Sequence, residues 1–161
     1  MAGHALQLVE ESDLPELLPL MRGYCDFYEV APSDHELLAM ARALIADRTG
    51  EGLQLLARAE DDGEAIAFAT IFWSWSTLSG SRIGVMNDLF VAESARGSGV
   101  ADALIHGCLE RCQERGDVTS LQWQTAKDNL RAQAVYERMG GAREEWLDYS
   151  LEVGAPPQEA R

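Results

Sequence analysis

Positive charge is scarce in this chain. Against 27 aspartates and glutamates stand only 13 lysines and arginines, a formal net charge of −14 over 161 residues. A surface of that sign repels a phosphate backbone and gathers cations, so nucleic acid is a poor partner and a cationic amine a natural one. Cysteine is sparse too. The three are odd in number and lack metal-ligand spacing: Cys108 and Cys112 stand four apart on a helical stretch and read as small core hydrophobes, and Cys25 is alone. His4, His35 and His106 are scattered, so no metal site is expected. No apolar stretch approaches the roughly 18 residues of a membrane span. The first dozen residues lack the basic segment and apolar run of a secretory leader. The expectation is a cytoplasmic protein without a membrane partner.

What is present fits one globular domain. Hydrophobic residues make up 47% and charged residues 25%, and a chain this long buries enough surface to fold without a disulfide or metal staple. The domain is expected over residues 1–153. Residues 154–161, with Pro156-Pro157, read as a disordered tail.

The chain alternates between strand and helix patterns. A short strand over 5–10 precedes a helix with Leu14, Leu17, Leu18 and Met21 at helical spacing, which Pro19 and Gly23 threaten to break. Tyr24–Pro32 reads as an aromatic-rich connection. Ser33 or Asp34 caps a second helix to about Asp47. Strands follow over 53–59 and 65–75, joined by the turn Asp61-Asp62-Gly63, and a third covers 82–91. The loop 92–98 opens a helix to about Arg115; then come a strand over 121–125 and a helix over 129–139, ended by Gly140-Gly141. Residues 146–153 read as a last strand. This order predicts an α/β fold: a mixed, mostly antiparallel central sheet with helices on both faces. The strand–helix–strand unit over 82–125 contributes one parallel pair.

The sharpest feature is Asn87-Asp88-Leu89-Phe90-Val91 followed by Arg96-Gly97-Ser98-Gly99-Val100-Ala101. A strand ends and small residues open a helix, so unpaired backbone N–H groups and the positive helix end converge on one point. That geometry suits an anion, most naturally a diphosphate. Arg96 can add a charge-assisted hydrogen bond. The loop holds no lysine for a Walker P-loop, and Asp102 stands where the dinucleotide fingerprint needs its third glycine. Alone, the loop supports no more than an anion at a helix N-terminus.

The pattern R-x-x-G-x-G/A after x-D-L-F-V resembles the coenzyme A signature of GNAT-type N-acetyltransferases. A second stretch agrees: Leu121-Gln-Trp-Gln-Thr125, then Asn129-x-x-Ala132-x-x-Val135-Tyr136-Glu-Arg-Met-Gly140. The resemblance implies a GNAT-like sheet whose parallel pair lies at the cofactor site. It implies acetyl-CoA as co-substrate, with no metal, and transfer of its acetyl group to a primary amine. In that reading the backbone of Leu89, Phe90 and Val91 pairs with the pantetheine arm, and Arg96, Gly97, Ser98, Gly99, Val100 and Ala101 cradle the diphosphate. Asn129 hydrogen-bonds the pantetheine, and Tyr136 stands near the sulfur as general acid. A phenol, of pKa about 10, can deliver a proton to a departing thiolate.

One position departs from the pattern. Many members of the family carry a glutamate where Asn87 stands, and an amide cannot take the amine's proton. Strand alternation is expected to point Asp88 to the opposite face, which leaves Asp26, Glu29 and Glu145 as candidate carboxylates, or an amine that arrives neutral. Tyr24, Phe27, Tyr28 and Trp73 are candidates for the acceptor pocket, with Trp75 beside them, since aromatic faces hold an ammonium. The expected acceptor is a small-molecule amine: a polyamine, an amino acid or an amino metabolite. The alternatives are a protein lysine or N-terminal acetyltransferase and a catalytically silent acyl-CoA-binding module. The resemblance also implies a homodimer.

Overall fold

The computed structural model describes residues 3–154. The expected tail over 154–161 therefore lies, apart from Gly154, outside the described residues. Five strands form one sheet in chain order: β1 (His4–Leu8), β2 (Gly52–Ala59), β3 (Ala65–Ser76), β4 (Ser81–Val91) and β5 (Val118–Gln122). The first four are antiparallel neighbours, and β4 and β5 run parallel through the crossover helix α3 (Val100–Arg115).

Two apolar layers sandwich the sheet, and strand alternation assigns residues to them. Leu53, Leu55 and Ala57 of β2 meet Leu104, Ile105 and Cys108 of α3, with Val135, Tyr136 and Met139 packed alongside. Tyr136 and Val135 belong to α4 (Leu130–Arg138). On the other face Leu56 and Phe68 meet α1 (Leu14–Phe27) and α2 (Asp34–Ala46) through Leu17, Met21, Leu37 and Ala41. Leu17 and Leu56 are wholly buried, so truncating either to alanine costs about 2–5 kcal/mol.

The helix α1 corrects one expectation. It runs unbroken through Pro19 and Gly23, and it contains Tyr24 and Phe27, which the sequence pattern assigns to a connection. Pro19 sits only four residues past Pro15, in the second position of the helix, so the bond it forfeits belongs to the opening turn. Gly23 has a packing reason. A Cβ there would stand 2.5 Å from the Phe90 ring, so glycine lets α1 lie directly on β4. A glycine in a helix interior costs about 1 kcal/mol relative to alanine, and the close approach is what that cost supports.

A second correction concerns residues 146–153. They form no strand among the described residues, and residues 142–154 are exposed throughout. The alternation of Leu147, Tyr149, Leu151 and Val153 is real, but in one chain no sheet edge pairs with it.

Candidate functional site

The opening between β4 and β5 organises the site. The two strands pair from Arg82 to Val85 of β4 and then part, while β4 stays paired with β3 as far as Val91. Among the described residues, the β4 edge over Leu89, Phe90 and Val91 thus has no strand on its β5 side. An extended amide-bearing chain can add to such an edge.

At the foot of the opening β4 carries a bulge. Thr70 lies opposite Asp88 and Ile71 opposite Met86, so Asn87 is the extra residue. A bulge advances the side-chain phase by one. Met86, Leu89 and Val91 pack against α3 and α4, whereas Phe90 packs against α1. Asp88 therefore shares the α1 face with Phe90. The expectation that alternation turns it away from the acceptor side is overturned.

Asp88 is the buried acid of the site, 7% exposed. Burial pushes its carboxyl above the ordinary value, against the polar groups of Thr70, Tyr24 and Asn87 around it, which favour the charge. The Asn87 amide nitrogen donates to it at 2.9 Å. The Tyr24 hydroxyl donates to the Asn87 carbonyl at 3.2 Å, and burial followed by the Asp88 charge raises the Tyr24 phenol well above its ordinary range. Tyr136 reaches the same region from the far layer. Its ring packs edge-on against Trp123 at 5.3 Å, and its phenol is raised first by burial and then by Tyr28. Tyr24, Tyr28 and Tyr136 thus approach one another across the opening, and both Tyr24 and Tyr136 stay protonated at neutral pH.

Beside them a cleft of about 330 Å³ is lined by Phe27, Tyr28, Ala126, Asp128 and Asn129. Asn129 caps α4 and lines the cleft: its side-chain oxygen accepts from the Ala132 N–H at 3.2 Å, and among the described residues its NH2 has no acceptor. Trp73 is not brought to this group. It lies on the α3 face, 8% exposed, with its indole N–H on the Arg48 carbonyl at 2.8 Å and Arg115 stacked over its ring. Trp75 is exposed under Arg82. Asp26, Glu29 and Glu145 are exposed.

The loop before α3 has a backbone geometry that can receive an anion. Gly97 and Gly99 adopt φ of 82° and 87°, the left-handed region that glycine enters freely, and a Cβ at either would meet open space. Among the described residues the backbone N–H groups of Gly97, Gly99, Val100 and Ala101 find no protein acceptor. The Ser98 hydroxyl turns inward to the Ala95 carbonyl at 2.6 Å, and the Arg96 side chain folds back on the Val91 carbonyl at 3.3 Å. Asp102, an anion in the first turn of α3, is held by Arg138 of α4 at 2.6 Å, and that pair fixes α4, with Tyr136, relative to the loop. Among the described residues no cluster of three or more His, Cys, Asp or Glu is arranged to hold a metal, and no helix is long and apolar enough to cross a membrane.

Sequence reasoning missed Thr70 and Gln54, which line up with Asp88 across the sheet, and it assumed regular alternation for Asp88. The sequence carries no clear mark of the bulge, because Ile83, Val85, Leu89 and Val91 keep one apolar alternation straight through it.

The acetyltransferase (GNAT) family model matches residues 17–141. The uncharacterised N-acetyltransferase YhfO of Bacillus subtilis is 30% identical over 151 residues, covering 93% of this chain and 98% of that protein. The D-amino-acid N-acetyltransferase HPA3 of Saccharomyces cerevisiae is 30% identical over 135 residues, 83% of this chain and 82% of that one. Among solved structures, the aminoglycoside N-acetyltransferase AAC(6')-Iy in complex with CoA superposes with a TM-score of 0.81 over 94% of this chain and 96% of that one; at 19% identity the likeness is one of fold.

Proposed function

This chain belongs to the acetyltransferase (GNAT) family, and we propose that it moves an acetyl group from acetyl-CoA to the primary amine of a small molecule: a polyamine, an amino acid or another amino metabolite. The observation that carries this reading is the buried carboxylate of Asp88, turned by the Asn87 bulge to the α1 face where β4 and β5 part.

Acetyl-CoA, when bound, supplies an activated thioester. The unpaired N–H groups and open glycine positions of the loop fit its diphosphate, with Arg96, Gly97, Ser98, Gly99, Val100 and Ala101 around it. The free edge of Leu89, Phe90 and Val91 and the NH2 of Asn129 suit the amides of its pantetheine arm. Asp88 takes the proton that the attacking amine gives up. Its raised affinity for protons suits that task. Asn87 orients the carboxylate through its amide hydrogen bond. Tyr136, protonated at neutral pH, donates toward the sulfur as the carbon–sulfur bond breaks.

Tyr24, Phe27 and Tyr28 wall the acceptor side, and Asp128 adds negative charge to a cleft of small-molecule size. The yeast relative is by its name a D-amino-acid N-acetyltransferase, which supports an acceptor of that size. The chain is also read as a homodimer, because among the described residues the apolar side chains of 146–153 are exposed and β5 is an edge strand.

A thiol-release assay with acetyl-CoA and a panel of diamines, amino acids and a lysine peptide tests the function. The expected result is turnover of a small amine, lowered about 10²–10⁴-fold in Asp88→Asn. Turnover of the peptide alone, or binding of acetyl-CoA without turnover of any amine, would overturn it.

A further inference from the structure

Three polar side chains stand in one row across the middle of the sheet. Gln54 of β2 is in register with Thr70 of β3, and Thr70 with Asp88 of β4. All three are buried, at 3%, 0% and 7% exposure, in a layer otherwise filled by Leu56, Phe68 and the apolar face of α1. Buried polar groups in such a layer cost stability unless they bond one another, so the row invites a functional account.

Its hydrogen bonds run in one direction. The Gln54 NH2 donates to the Thr70 hydroxyl oxygen at 3.1 Å and also meets the Met21 sulfur at 3.8 Å. Thr70 accepts from Gln54 and stands directly opposite Asp88 in the register, where its hydroxyl favours the charged carboxylate. Among the described residues, the Gln54 side-chain oxygen is buried without a partner. Turning the amide over would strand an NH2 in its place and set oxygen against sulfur, so the orientation that feeds Thr70 is the cheaper one. The Gln54 donor points along the row to Thr70, and Thr70 is the residue opposite Asp88.

We propose that Gln54 and Thr70 are positioning residues that set the proton affinity of Asp88 by holding its charged form from the side away from the cleft. The consequence for catalysis rests on the reading of Asp88 as the base. The other groups facing the carboxylate are Tyr24 and Cys25 of α1 and the Asn87 amide of β4, and none of them is cationic. Loss of the Thr70 donor therefore has no positive charge to offset it.

The test is a carboxyl carbon NMR titration of Asp88 in the full chain, with the pH profile of kcat/KM measured on the same variants. Thr70→Val keeps the shape of the side chain and removes the hydroxyl. It should raise the Asp88 pKa by about one unit, since a hydrogen bond to a charged group is worth at least that much. Thr70→Ser restores the donor and should restore the parent value. Gln54→Leu frees Thr70 to rotate and should shift the pKa in the same direction by less. An Asp88 pKa that is the same in Thr70→Val and in the parent overturns the proposal. So does an equal shift in Thr70→Val and Thr70→Ser. A shift in the titration that the kcat/KM profile does not follow leaves the row in place and removes Asp88 from the role of base.

Discussion

The Tyr24 hydroxyl donates to the backbone carbonyl of Asn87 across 3.2 Å, which fastens α1 to the extra residue of the β4 bulge. A bulged residue falls outside the ladder, so its carbonyl draws its partner from a side chain. Gly23, pressed on Phe90, brings the helix close enough for Tyr24 to reach. Tyr24→Phe should lower kcat/KM about tenfold, the worth of one such bond. The dissociation constant of acetyl-CoA should not move, because the bond fixes Asn87 and leaves the loop 96–101 alone. Calorimetry of acetyl-CoA binding beside steady-state kinetics checks the split, and an unchanged kcat/KM refutes it.

Asp88 makes a second prediction, whose sign follows from burial. Its carboxyl is raised in the folded state above the unfolded value, so folding favours the protonated form. That contribution is complete below the unfolded value, near 3.9, and is lost as pH rises through the folded one. Asp88→Asn cannot ionise and escapes the loss. The difference in Tm, variant minus parent, should grow in favour of the variant between about pH 4 and pH 7. A difference that stays flat over that range counts against a raised Asp88.

The frame of the molecule is legible in the sequence because periodicity carries it. The antiparallel hairpins, the crossover helix and the glycine loop all follow from alternation, helical spacing and turn residues. Three features were harder for physical reasons. Pro19 looks like a helix breaker until it is known that the carbonyl it deprives belongs to the opening turn of α1. The change of phase at Asn87 is hidden in the sequence, where Ile83, Val85, Leu89 and Val91 alternate as if the strand were regular, and only the pairing with β3 reveals it. Trp73 resembles a pocket aromatic in one dimension, and only the distant Arg48 and Arg115 make it a core residue.

Gly99 separates backbone freedom from space at the anion loop. It caps α3 with φ at 87°, and a side chain there would collide with nothing. Gly99→Ala therefore pays only for the left-handed conformation, about 1–2 kcal/mol. If the loop relaxes to avoid that strain, its N–H groups lose their common aim. Acetyl-CoA should bind about tenfold more weakly or worse, with the amine KM little changed. Unaltered binding of acetyl-CoA in Gly99→Ala would mean that the loop geometry is not what holds it.

The segment 146–153 has the pattern of a strand and the exposure of an open arm. Tyr149 is 90% and Leu151 95% exposed, and Leu147 and Val153 share their side of the alternation. Among the described residues, the hydrogen bond from the Gln124 amide to Asp148 at 2.6 Å ties this stretch to the sheet region. An exposed segment with an apolar strand pattern and an unpaired sheet edge are both open to pairing with another chain. Pairing the arm of one copy with the β5 edge of another satisfies both, twice over, around a two-fold axis. A chain ending at residue 145 should then run as a monomer in light scattering where the full chain runs as a dimer. Its sheet, closed by α3 on one face and by α1 and α2 on the other, should still fold. Leu151→Glu should act in the same direction by placing a charge among the buried apolar positions of the pair. If the full chain is monomeric at micromolar concentration, or if the shortened chain stays dimeric, the arm is not the contact.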